Sequence, residues 1–110
     1  MTKKDVNKPG KDQLTQAENL KARVISAQRN VPVSLALGTA DISLTRDYVD
    51  EYLSIVNSAL DIWKMNESLL ELKLVGNAYR NCLGMFAAES DLKQILDQIE
   101  SLLIVLRKID

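Results

Sequence analysis

Residues 92–106 read LKQILDQIESLLIVL, and the spacing of their apolar side chains predicts the fold class. One row of these side chains advances by alternating steps of four and three, which is the spacing of a helix that packs in a bundle or coiled coil. The row consists of Leu92, Leu96, Ile99, Leu103 and Leu106, with Ile95, Leu102 and Ile109 seven residues apart beside it. We therefore expect an amphipathic helix that packs against other helices.

Residues 45–86 show the same helical spacing over a longer stretch. Ser43 or Thr45 is the expected N-cap, and no Gly or Pro occurs between residue 45 and Gly76. Two rows precede Asn66: Tyr48, Tyr52, Ile55, Ala59 and Ile62, then Val49, Leu53, Val56, Leu60 and Trp63. Two rows follow it: Leu69, Leu72, Val75, Tyr79 and Leu83, then Leu70, Leu74, Ala78 and Cys82. Asn66 is a possible start for a second helix, and one bent helix over residues 45–86 is the alternative.

The N-terminal part of the chain predicts one further helix and one ambiguous segment. Ala17, Leu20, Val24 and Ala27 follow a capping-box sequence and predict a helix from residue 12 or 15 to about residue 30. In residues 31–38, Pro32 and Gly38 stand where a short helix places its first residue and its C-terminal glycine. An edge strand is the alternative there, because apolar residues also alternate. Ser90 is the expected N-cap of the last helix.

These patterns predict an all-α chain, a three- to four-helix bundle that forms a dimer. At 110 residues, the chain has the length of one domain. We expect residues 12–110 to form this single helical domain. Residues 1–11, which are rich in lysine and almost free of apolar side chains, are expected to be a flexible basic arm.

The chain has few of the residues on which most catalytic and metal sites depend. The chain has no histidine and a single cysteine, Cys82, which we expect to be a small buried side chain. Histidine is the usual base near neutral pH and the commonest metal ligand. We therefore predict no catalytic residue, metal, cofactor or small-molecule ligand. A charged N-terminus without an apolar segment behind it, and the lack of a long apolar run, predict a cytoplasmic protein without membrane contact.

Positive charge is concentrated in the first 30 residues. Seven basic and three acidic residues there give a balance of +4, whereas the remainder of the chain carries −5. Contact with nucleic acid or an acidic partner would use Lys3, Lys4, Lys8, Lys11, Lys21 and Arg23. The sequence LTQAENL (Leu14–Leu20) resembles the first helix of some helix-turn-helix repressors, but no polar recognition helix follows it.

The unbroken apolar run Leu102–Leu106 suggests a surface that needs a partner. Five consecutive residues point to every side of a helix, so one side would remain in water in a small domain. The predicted self-association or partner interface consists of Leu102, Ile104, Val105, Leu106, Ile109 and Trp63. The leading functional prediction is a non-catalytic interaction module, such as an adaptor, inhibitor or assembly factor, that acts as a homo-oligomer. A dimeric DNA-binding regulator and a small helical enzyme or enzyme subunit are the alternatives.

Overall fold

The computed structural model describes residues 11–36, 42–82 and 88–109. They form four helices, α1 (Lys11–Ala36), α2 (Ile42–Ile62), α3 (Glu67–Asn81) and α4 (Ala88–Ile109), and no strand occurs within these ranges. The all-α prediction is confirmed, with four helices rather than three. Helix α1 begins at Lys11, one residue inside the range that was predicted to be a flexible arm. Residues 1–10 of that arm lie outside the described residues.

A polar side chain separates α2 from α3. The Oδ1 atom of Asn66 accepts a hydrogen bond of 2.9 Å from the backbone N–H of Leu69, and the Asn66 N–H donates to the carbonyl of Trp63 at 3.1 Å. An asparagine N-cap of this kind is worth about 1 kcal/mol. The prediction of a restart at Asn66 is therefore confirmed, and the single bent helix over residues 45–86 is wrong.

The other helix ends differ from the predicted ones. Residues 31–36 are helical, but they continue α1 instead of forming a separate short helix that starts at Pro32. Proline cannot donate a hydrogen bond within a helix, yet α1 continues through Pro32 to Ala36. Helices α2 and α4 begin at Ile42 and Ala88. Ser43, Thr45 and Ser90 therefore lie inside helices and are not N-caps.

One hydrophobic core is shared by all four helices. Helix α1 packs against α2 and α4, and α3 packs against the same two helices, so α1 and α3 occupy opposite corners of the bundle. The smallest dimension of the molecule is 18 Å, which corresponds to two layers of helices. The buried core contains Ala17, Leu20, Val24, Val49, Tyr52, Leu53, Ile55, Val56, Ala59, Leu60, Leu69, Tyr79, Leu92, Ile95, Ile99, Leu102, Leu103 and Leu106.

Among the described residues, three exposed ion pairs join neighbouring helices around this core. Arg23 of α1 pairs with Glu51 of α2, and Arg80 of α3 pairs with Asp50 of α2. Arg107 of α4 reaches Glu18 of α1 at 3.4 Å. Exposed pairs of this kind contribute little to stability, but they favour one arrangement of helices over others.

Candidate interaction surface

Helix α3 has one buried side and one exposed side. Leu69, Gly76 and Tyr79 are buried against the bundle. On other sides, Leu70 is 39% exposed, Leu74 72% and Val75 43%. The predicted packed rows are therefore wrong for these three residues, because α3 lies at a corner of a two-layer bundle and has only one side covered.

The exposed side carries acidic as well as apolar residues. We define the α3 face as Glu67, Leu70, Glu71, Leu74, Val75 and Ala78, all of which are exposed. Residues three and four apart on a helix are neighbours, so Glu67, Leu70, Glu71 and Leu74 form a continuous strip. Among the described residues, neither Glu67 nor Glu71 forms an ion pair.

The basic residues of α3 lie on a different flank. Arg80 pairs with Asp50 of α2, and this contact holds the pKa of the Asp50 carboxyl below its ordinary value. Lys73 precedes Arg80 by seven residues, which places both on the flank that faces α2. Lys73 is half-buried there. The α3 face itself is therefore apolar and negatively charged.

The predicted C-terminal interface is divided between core and surface. Leu102 and Leu106 are buried in the core of the chain itself, whereas Ile104 is 53% exposed. Val105 and Trp63 are half-buried and pack against that core. Ile104 and Val105 line a shallow hollow with Asn66, Ser68 and Lys108. The side chain of Ile109 lies outside the described part of the structure.

The described members of the predicted nucleic-acid contact, Lys11, Lys21 and Arg23, do not form a free positive patch. Lys11 is exposed at the start of α1, Lys21 is half-buried, and Arg23 is engaged with Glu51. That ion pair lies in an open polar cleft between α1 and α2, lined also by Gln16, Asn19, Ser54 and Ile55. Lys3, Lys4 and Lys8 lie outside the described residues. No turn interrupts residues 11–36, so the arrangement implied by the helix-turn-helix resemblance is absent there.

Two tyrosines connect α4 to its neighbours through hydroxyl groups. Tyr79 donates a hydrogen bond of 2.6 Å to the carbonyl oxygen of Asp91, and Tyr52 donates to the side-chain oxygen of Gln98 at 3.3 Å. Burial raises the pKa of both tyrosines, and the nearby Asp91 carboxylate raises that of Tyr79 further. Asp91 is buried, and its Oδ1 atom has no hydrogen-bond partner among the described residues.

Cys82 was expected to be buried, and this expectation is wrong. The residue lies at the C-terminal cap of α3 and is exposed. Its backbone N–H donates to the carbonyl of Tyr79 at 2.9 Å, which ends the helix. Helical spacing after Tyr79 suggested a buried position, but Tyr79 is the last buried residue of α3 and the residues that follow it up to Cys82 are exposed.

No protein-family model, curated protein or solved structure matches the chain. Within the described ranges, no helix combines the length and the apolar character needed to cross a membrane. The same ranges contain no group of three or more Cys, Asp or Glu residues that could hold a metal ion.

Proposed function

We propose that the chain is a non-catalytic protein–protein interaction module that acts through a helix surface, the α3 face. The observation that supports this proposal is the exposure of Leu70, Leu74 and Val75 on a single helix. Fully burying one such side chain is worth about 1.5–3 kcal/mol. Neighbouring exposed apolar side chains with a polar border are typical of protein interaction sites.

The core of the bundle supports the same proposal, because it is built without the α3 face. Leu69 and Tyr79 of α3 are buried with residues from α1, α2 and α4. The exposed leucines therefore remain available for another protein. A module of this kind would act as an adaptor, inhibitor or assembly factor.

Self-association is a separate part of the proposal, and it does not depend on the α3 face. The run Leu102–Leu106 that predicted a homo-oligomer contributes mainly to the core of the single chain, and Ile104 is its exposed member. Light scattering of the wild type and an Ile104→Glu variant tests this part. A dimer that the substitution dissociates would support a homo-oligomer, whereas a monomeric wild type would limit the module to other partners.

Site-specific crosslinking tests the role of the α3 face. A photoreactive amino acid is placed at position 70, a crosslinked protein is identified from cells that produce the chain, and its affinity is then measured with purified components. We expect Leu74→Glu to weaken that binding at least tenfold. Asn57→Glu, at an exposed position of α2, is the control and should leave it unchanged.

Two results would contradict the proposal. The first is equal weakening by Leu74→Glu and Asn57→Glu. The second is DNA retention at low salt that is lost when Lys11 and Lys21 are replaced, which would favour the DNA-binding regulator.

A further inference from the structure

The apolar and acidic residues of the α3 face together indicate the chemistry of its partner. Resting on the proposed function, we propose that this face binds an amphipathic helix of a second protein, with leucine-like residues on one side and Lys or Arg beside them.

The apolar part of the α3 face has the form of a helix-packing ridge. Leu70, Leu74 and Ala78 follow one another at intervals of four residues, which is the row that packs into the groove of another helix. Ala78 is small, so a partner helix can approach closely at that end. Amphipathic helices bind such surfaces through apolar residues spaced three and four apart.

The charged part of the face requires a basic partner. Glu67 and Glu71 lie one turn apart beside the two leucines, and both are exposed. The basic side chains of α3 cannot neutralise them, because Arg80 is paired with Asp50 and Lys73 shares its flank. A partner that covers Leu70 and Leu74 would cover these carboxylates as well. Lysine or arginine beside its apolar residues would compensate the loss of water around both groups.

An antiparallel second copy of α3 does not supply this complement. In a twofold-symmetric pair whose α3 helices run antiparallel, the flank that carries Glu71 would face the corresponding flank of the other copy. That flank continues through Val75 and Cys82 and contains no basic residue. Acidic groups would therefore be covered without a cation from α3, which disfavours antiparallel pairing of two α3 helices.

Fluorescence anisotropy with synthetic peptides tests the proposal on the full chain. The first probe is a labelled amphipathic helix of Leu and Lys, and the second has Glu in place of each Lys. We expect the Leu/Lys peptide to bind the wild type and the Leu/Glu peptide not to bind. The double variant Glu67→Lys, Glu71→Lys should bind the Leu/Lys peptide about tenfold more weakly and should now bind the Leu/Glu peptide.

A matched control separates local charge from net charge. The double variant Asp97→Lys, Glu100→Lys makes the same change in net charge at two exposed positions of α4. It should change the affinity for the Leu/Lys peptide less than about twofold. Circular dichroism of each variant checks that the helices remain folded.

The outcomes distinguish the basic partner from the interaction module itself. If both peptides bind the wild type equally and Leu74→Ser weakens the binding of both, the proposal of a basic partner is wrong and the proposed interaction module is retained. If binding of neither peptide depends on Leu74, the basic partner and the module both fail. A dimer that Leu74→Ser dissociates would assign the face to a second copy and overturn the proposed partner. Equal weakening by the two charge-reversal variants would overturn it too.

Discussion

Gly76 is a position at which α3 comes close to α2, and its replacement by alanine tests the packing of the two helices. A Cβ atom on Gly76 would lie 2.7 Å from the Cδ2 atom of Leu53 and 3.1 Å from the Cε2 atom of Tyr52. Overpacking of this kind costs about 1–3 kcal/mol. Alanine also favours a helix over glycine by roughly 0.5–1 kcal/mol. The two effects oppose each other, and we expect Gly76→Ala to lower the free energy of unfolding by about 1 kcal/mol.

The same substitution should change sign when the nearest atom is removed. Leu53→Ala deletes Cδ2 and itself costs about 2–5 kcal/mol. In that background the closest contact of the new Cβ is absent, so Gly76→Ala should stabilise the chain by up to about 1 kcal/mol. Ala78→Gly, at an exposed position of the same helix, measures the helix-propensity effect without a packing change.

Urea denaturation followed by circular dichroism measures the free energy of unfolding of five proteins. These are the wild type, the two single variants at positions 76 and 53, their combination, and the Ala78→Gly control. The coupling between positions 76 and 53 is the difference between the effects of Gly76→Ala in the two backgrounds. Stabilisation of the wild type by Gly76→Ala, equal to that in the Leu53→Ala background, would refute the close approach of α2 and α3.

Three further predictions concern the core, a tyrosine and an ion pair. Leu102→Ala should lower the free energy of unfolding by about 2–5 kcal/mol and Ile104→Ala by less than about 1 kcal/mol, because Leu102 is buried and Ile104 is exposed. Equal losses of stability in urea denaturation would contradict this difference in burial. Burial raises the pKa of Tyr79 above 10.0, so the Tyr79 hydroxyl loses its proton at a lower pH in the unfolded chain than in the folded one. The free energy of unfolding should therefore fall as the pH rises above 10.0. A Tyr79→Phe variant whose stability falls by the same amount over this pH range would argue against this cause. The pKa of Asp50, measured by NMR, should lie below 3.8 and return toward that value in Arg80→Gln, because the arginine favours the charged carboxylate. The Asp50–Arg80 pair then contributes to the stability of the folded chain above pH 3.8, and this contribution is lost as the pH falls through the lowered pKa of Asp50. An unchanged Asp50 pKa in the Arg80→Gln variant would exclude the pairing.

Helical periodicity predicted most of the core, because the apolar side chains of an amphipathic helix recur wherever its turns meet the same neighbour. The rows of α2 and α4 are buried almost as predicted, and the break at Asn66 followed from a side chain that caps locally. The extent of α1 could not be predicted in this way. Pro32 disfavours a helix interior locally, so the continuation of α1 to Ala36 does not follow from the spacing of apolar residues.

The α3 face was missed, although the signal that would have found it is present in the sequence. Residues 69–75 read LLELKLV and place apolar side chains on several sides of one helix, as residues 102–106 do. The two runs differ in the structure because α4 packs against three helices and α3 mainly against two. Sequence spacing shows how wide an apolar arc is, but the number of neighbours decides how much of that arc is covered.

Helix α1 shows that two neighbours can be sufficient. It packs against the same two helices as α3, and its apolar row is narrow: Ala17, Leu20 and Val24 are buried, and Ala27 is half-buried. Helix α3 has a broader arc of apolar side chains in an equivalent corner position, so the packing of the bundle does not account for its additional apolar side chains. Leucine at position 74, which is 72% exposed, contributes little to the stability of the isolated chain. Replacement of this residue by a polar one should therefore leave folding intact and remove binding, which is the difference between a surface used for a partner and a surface used for the core.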